Sequence, residues 1–207
     1  MPMKLVIRVP LRVSFCGGGT DLKDFYLNHG GAVVFSNITK YVYITLSPRE
    51  DGQVILKDID FGVETEFKFD DTPEFDGFLD LAKAAVRFLG IKKGVEILIK
   101  SDVAPGSGLG TSSAITVGLL KGLIELFGLS VPTYANHLAE MAYVVERDIL
   151  NQAGGIQDHY AATCHGVNVL ECSAQKTTVR TLNMRPSFIS DLQMLFLLCY
   201  SGETHFA

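Results

Sequence analysis

The sequence predicts an α+β fold. Strand-like segments dominate the first part of the chain, and helical periodicity takes over from Ser113 to Leu150. A glycine- and hydroxyl-rich loop, Pro105 to Ala114, joins a strand to a helix at the changeover.

Lys4 to Val9 and Leu11 to Cys16 read as strands around Pro10. Gly17-Gly18-Gly19 is a sharp break, and Thr20-Asp21 suits the cap of a short helix running to Asn28. After the His29-Gly30-Gly31 turn, Ala32 to Phe35 and Lys40 to Leu46 are β-rich, with Tyr41, Tyr43 and Thr45 on one face. Gln53 to Ile59 and Val63 to Phe69 form a hairpin pair. Phe78 to Leu89 places Leu81, Ala82, Ala85, Val86 and Leu89 at helical spacing, and Gly90 ends it. Gly94 to Lys100 alternates like a half-buried strand, and Ser113 to Phe127 has helical spacing that stops at Gly128. Pro132 opens a helix to about Leu150, striped by Leu138, Met141, Ala142, Val145 and Ile149. Gly154-Gly155 breaks it. A short helix over 157–163 follows, and then strands over 166–172, 177–182 and 192–200.

The last of these strands is strongly apolar and reads as core, yet only residues 201–207 follow it. A C-terminal domain, a partner chain or a second copy of this chain is expected to cover it. We therefore expect a main domain over 1–190 and the start of a truncated C-terminal domain over 191–207.

Composition narrows the class. The 207 residues are 47% apolar and 20% charged, as in ordinary globular proteins. A net charge of −5 argues against general nucleic-acid binding, so any anion is held locally. No apolar run reaches membrane-spanning length, and the N-terminus has no signal-peptide core, so a cytoplasmic protein with no membrane partner is expected. Cys16, Cys164, Cys172 and Cys199 form no C-x-x-C pair and read as small buried hydrophobes rather than disulfides or a zinc site.

The loop carries the chemistry. Gly106, Gly108 and Gly110 let the backbone turn tightly against an anion. Ser107, Thr111, Ser112 and Ser113 add hydroxyl donors. The free N–H groups of the following helix point into the loop. It is neither a Walker A loop nor G-x-G-x-x-G, and a plain flexible turn is the bland alternative.

Three further residues suit phosphoryl transfer, which needs a cradle, a metal, a group to receive the acceptor proton, and positive charge. Glu146 borders the apolar stripe of its helix and could meet Mg2+, or else pair on the surface with Arg147 or Arg87. Asp158, after the Gly154-Gly155 break, could accept a hydroxyl proton, or cap the short helix. Arg12 could neutralise a phosphoryl group or orient a carboxylate. Thr20 and Asp21 could bond sugar hydroxyls, or form a turn and helix cap.

Pro105-Gly106-Ser107-Gly108-Leu109-Gly110-Thr111-Ser112-Ser113-Ala114 resembles the second, phosphate-binding motif of the GHMP small-molecule kinases. Pro10-Leu-Arg-Val-Ser-Phe-Cys-Gly-Gly-Gly-Thr-Asp21 resembles their first motif, in the form typical of D-glycero-D-manno-heptose 7-phosphate kinases and related bacterial sugar kinases. Glu146-Arg-Asp148 and Gly154-Gly-Ile-Gln-Asp-His-Tyr160 resemble the segment with the acidic magnesium ligand and the catalytic aspartate. The resemblance implies a GHMP kinase N-terminal domain of the ribosomal protein S5 domain 2-like fold, with the C-terminal domain and third motif largely absent. It implies ATP along Pro105 to Ser113, Mg2+ between Ser112 and Glu146, Asp158 as base beside Arg12, and sugar contacts at Gly18, Gly19, Thr20 and Asp21. The implied activity is transfer of the γ-phosphate of ATP to a hydroxyl, the anomeric one, of a sugar or sugar phosphate such as D-glycero-D-manno-heptose 7-phosphate. The alternative is a catalytically incomplete fragment that binds nucleotide or a partner.

Overall fold

The computed structural model describes residues 4–104, 106–199 and 202. A seven-stranded sheet is backed on one face by helices, as an α+β architecture requires. Its central strand is β2 (Gly31–Arg49), 19 residues long. β1 (Leu5–Cys16) pairs antiparallel along one edge of β2 from residue 34 to 46. The other edge is shared end to end. β5 (Gly94–Ser101) pairs with residues 42–49, and β6 (Val167–Cys172) with residues 31–36. β3 (Gln53–Asp58) lies parallel to β5 and carries β4 (Val63–Lys68) as its hairpin partner, while β7 (Thr177–Thr181) flanks β6.

Strand alternation fixes the core face. Ile7 and Val9, Val42, Ile44 and Leu46, and Ile97 and Ile99 all point to the helices. Tyr41, Tyr43 and Thr45 lie together on the opposite face, as their spacing predicts. α2 (Asp80–Phe88) and α3 (Thr111–Phe127) cover the core face. α3 lies close on β1 and β2 because Gly118 and Gly122 face the sheet. A Cβ on Gly122 would sit 2.5 Å from Leu46 Cδ1, and one on Gly118 2.9 Å from Ile44 Cγ1.

Several expected elements change shape. The two strands around Pro10 are one strand, broken in register between Pro10 and Arg12 and again between Ser14 and Cys16. The helix from Pro132 starts later, as α4 (Ala135–Tyr143), and continues as a π-helical segment over Val144–Ile149. α1 (Lys23–His29) begins after Leu22 with no side-chain cap, so Thr20-Asp21 does not cap it. Among the four cysteines only Cys172 is buried, and Cys16 and Cys199 are exposed.

The largest correction concerns 192–200. Pro186–Leu195 is a helix, α6, with Pro at its first position, and Tyr200 lies outside the described residues. An apolar run of this length suits either element, and a helix satisfies its own backbone groups without pairing to the sheet. α6 buries none of its residues, and Met194, Leu195 and Leu197 are more than three-quarters exposed. α6 spans the expected domain boundary at 190.

Candidate active site

Three segments far apart in sequence meet at the start of α3. Gly106, Gly108 and Gly110 all adopt positive φ, with Gly110 at φ 79° as the residue preceding the helix. The first intrahelical bond runs from Ala114 N–H to the Gly110 carbonyl, at 3.1 Å. The N–H groups of residues 111–113 therefore have no partner within the helix. Ser107 Oγ and Thr111 Oγ1 are buried and pair with nothing among the described residues. Pro105 lies outside the described residues.

The second segment is β1. Its register break frees Arg12 N–H from the sheet, and it donates to the Leu109 carbonyl at 3.1 Å. Irregularities of this kind re-aim side chains beside functional sites. The Arg12 guanidinium then clamps Asp158, with Nε to Oδ1 and Nη2 to Oδ2 both at 2.7 Å, and Nη1 donates to the Gly108 carbonyl at 2.5 Å. Three of its five N–H donors are thus used, and two remain. Asp158 also abuts Gly110, where a Cβ would lie 3.5 Å from the Asp158 carboxylate. Asp158 is the second residue of α5 (Gln157–Ala162). Its side chain is 24% exposed, so it faces the surface while held by Arg12.

The third segment is the π-helical turn. Glu146 sits in it, 1% exposed, and its Oε2 accepts from Ser112 Oγ at 3.2 Å and Ser113 Oγ at 3.3 Å. Arg147 Nη1 is 3.7 Å from the same oxygen, whereas Arg87 is elsewhere, lining a cavity of about 390 Å³ beside β4 and α2. Of the two partners considered from sequence, Arg147 pairs with Glu146 and Arg87 does not, and the carboxylate is buried rather than on the surface. Burial pushes the Glu146 carboxyl up, but the His159 imidazole and the Arg147 cation together hold it below the usual range. π-bulges of this kind recur at functional positions.

His159 was not singled out by sequence reasoning. It is fully buried against Tyr143, and its Nε2 lies 3.3 Å from Glu146 Oε1. Among the described residues neither ring nitrogen makes a hydrogen bond, and Glu146 Oε1 accepts none, so the contact between them is an electrostatic one. Its only sequence signal is adjacency to Asp158.

Residues expected to contact sugar divide into two pairs. Gly18 and Gly19 are exposed. Thr20 and Asp21 are used within the chain. The Thr20 hydroxyl donates to the Gly17 carbonyl at 2.7 Å and accepts from Ala32 N–H at 3.1 Å. The Asp21 carboxylate accepts from Gly19 N–H at 3.2 Å and from Gln157 N–H at 3.0 Å.

A fit to Mg2+ rests on hard oxygen donors. The described residues contain no group of three or more His, Cys, Asp and Glu side chains that could hold a metal. Mg2+ bound with phosphates needs only one or two carboxylates. Glu146, whose Oε2 lies 3.2 Å from the Ser112 hydroxyl, and the exposed Ser112 meet that need.

Comparisons with known proteins bear on the fold that carries this loop. Residues 79–166 match the family described as GHMP kinases N terminal domain. The D-glycero-alpha-D-manno-heptose 7-phosphate kinase of Campylobacter jejuni is 33% identical over 203 residues, covering 95% of this chain and 59% of that protein. A galactokinase of Lactococcus lactis is 31% identical, over 85% of this chain and 45% of its own length. The crystal structure of a D-glycero-D-manno-heptose 1-phosphate kinase from Bacteroides thetaiotaomicron superposes with a TM-score of 0.84 at 29% identity, covering 92% of this chain and 63% of that one. The chain thus spans about three-fifths or less of these relatives. The glycine loop and helix α3 both lie inside the segment that matches the GHMP kinases N terminal domain, and it is to this family of kinases that the chain is similar.

Proposed function

We propose that the chain works as an ATP-dependent sugar kinase, transferring the γ-phosphate of ATP to a hydroxyl of a sugar or sugar phosphate. The observation that carries this reading is the convergence at the start of α3, where loop, Arg12–Asp158 clamp and Glu146 meet. Each is a part that phosphoryl transfer needs.

In this reading the loop from Pro105 to Ser113 cradles the triphosphate. The unpartnered hydroxyls of Ser107 and Thr111 and the free N–H groups of α3 supply its donors. Ser112 and Glu146 hold Mg2+, which supplies charge neutralisation on the phosphate oxygens when bound. Asp158 receives the proton of the acceptor hydroxyl. The acceptor oxygen forms its bond to the γ-phosphorus as the bond from phosphorus to the ADP oxygen breaks. Arg12 orients Asp158 with two donors and spends a third on the Gly108 carbonyl, and its remaining two are read as donors to the transferred group.

The acceptor is read as D-glycero-D-manno-heptose 7-phosphate or a related sugar, phosphorylated at the anomeric hydroxyl. The support is the Gly17-Gly18-Gly19-Thr20-Asp21 turn and the 33% identity to the Campylobacter jejuni enzyme. Gly18 and Gly19 are exposed and would border that sugar. No described helix is long and apolar enough to cross a membrane, and a cytoplasmic site suits an ATP-using enzyme.

The test is Asp158→Asn. Turnover should fall about 10²–10⁴-fold, the range for losing a positioned acid or base, while ATP binding by calorimetry stays unchanged. Retained turnover would remove Asp158 from the role.

A second reading has one observation of its own. The apolar surface of α6 and residues 196–198 suits a nucleotide- or partner-binding module without turnover.

A further inference from the structure

Asp21 is the only aspartate among the described residues classed as buried, and it makes no ion pair there. A buried carboxylate is costly unless its oxygens are satisfied. Here the partners are backbone N–H groups from two distant places. Oδ1 accepts from Gly19 at 3.2 Å, within its own turn, and Oδ2 accepts from Gln157 at 3.0 Å, 136 residues away. The Asp21 carbonyl accepts from Ile156 N–H at 3.3 Å. Gly155 closes over the carboxylate so tightly that a Cβ there would fall 1.9 Å from Oδ2.

Gln157 is the first residue of α5 and Asp158 is the second. The helix Asp21 caps is therefore α5, not the α1 that follows it in sequence. A carboxylate at a helix start satisfies N–H groups that have no partner within the helix. It also ties the Gly17–Asp21 turn to the backbone that presents Asp158.

We propose that Asp21 is a positioning residue for Asp158, acting through the first turn of α5, rather than a contact to the acceptor sugar. The proposal rests on the reading of Asp158 as proton acceptor. A misplacement of about 1 Å at a reacting group can cost roughly 10²-fold in rate. Both Asp21 oxygens are already committed to N–H donors and enclosed by Gly155.

Two variants test this. Asp21→Asn replaces one acceptor oxygen by an NH2 group, which must face an N–H donor. Gly155→Ala keeps Asp21 but puts a methyl group where its carboxylate lies. Amide hydrogen exchange over residues 156–158 and steady-state kinetics are measured on each. Both variants should speed exchange at Gln157 by about tenfold or more, as expected for losing a charge-assisted hydrogen bond. Both should lower kcat by at least about tenfold with the acceptor KM within about twofold. A raised KM with kcat and Gln157 exchange unchanged would overturn the proposal and make Asp21 a substrate contact. Unchanged exchange in both variants would overturn it whatever the kinetics. If one variant fails to fold, the other decides. If Asp158→Asn keeps full turnover, the reading of Asp158 fails separately, and exchange at Gln157 still decides whether Asp21 sets the start of α5.

Discussion

Arg12 shows how one side chain can join three elements. Its backbone N–H holds Leu109, its guanidinium holds Asp158, and its Nη1 holds the Gly108 carbonyl. Lysine offers a point charge rather than a planar fork. Arg12→Lys should therefore lower kcat by about tenfold or more, because the bidentate grip on Asp158 is lost. Initial-rate measurements at saturating ATP check this. Ser112→Ala should raise the Mg2+ concentration needed for half-maximal rate by about 10-fold, the lower end for losing a group that supports a metal ligand. The acceptor KM should not move, and a Mg2+ titration reads both. At this scale the candidate site was partly legible. Arg12, Glu146 and Asp158 could be picked from residue type and flanking breaks, while Ser112 was one of four loop hydroxyls and was set apart only by the family resemblance. The carboxylate of Asp21 could not be assigned, because its partner Gln157 lies 136 residues away and no local pattern encodes such a pairing. His159 was invisible for the same reason, since its contact with Glu146 appears only when α5 packs beside the π-helical turn.

Elements place these residues, and α3 is the main one. Leu119, Leu120 and Leu123 are fully buried under the sheet, and Ser112 and Ser113 stand at its first turn. Leu123→Ala should cost about 2–5 kcal/mol through a cavity that the sheet cannot collapse to fill. Urea denaturation measures it. α5 contributes Tyr160 to a small second core with Val33, Phe35 and Leu170. Burial, reinforced by the nearby Glu140 charge, pushes the Tyr160 hydroxyl up to about 12. A raised value means the fold favours the neutral phenol. That stability is complete below the ordinary tyrosine value near 10 and is lost as pH rises toward about 12. Tyr160→Phe should flatten this part of the alkaline loss, as read by denaturation at pH 9 and pH 11. Periodicity located α2, α3, α5 and the hairpin β3–β4. It failed at 192–195, where an apolar run suits either a strand or a helix and periodicity alone does not separate them. The π-helical turn was also beyond it, because the stripe through Val145 and Ile149 fits a plain helix equally well.

At the scale of the whole molecule, one layer of helices on a mixed sheet leaves the glycine loop, β1 and α5 meeting at the start of α3. The apolar side chains of α6 lie apart from this core. Exchanging exposed Met194 and Leu197 for aspartate should change the stability of the sheet and helices by no more than about 0.5 kcal/mol, as surface substitutions do. Urea unfolding of the double variant checks this. The fold class was legible because alternation and helical spacing change over at the glycine loop. The joining of β5 and β6 end to end on one edge of β2 was not, since nothing local states which strands pair. The central claim is that this convergence moves a phosphoryl group from ATP to a sugar. The direct measurement is ADP release by the chain with ATP and Mg2+ across a panel of sugars and sugar phosphates. We predict release that requires an acceptor, is strongest with a heptose 7-phosphate, and vanishes in Asp158→Asn. Nucleotide binding with no acceptor-dependent release would contradict the claim.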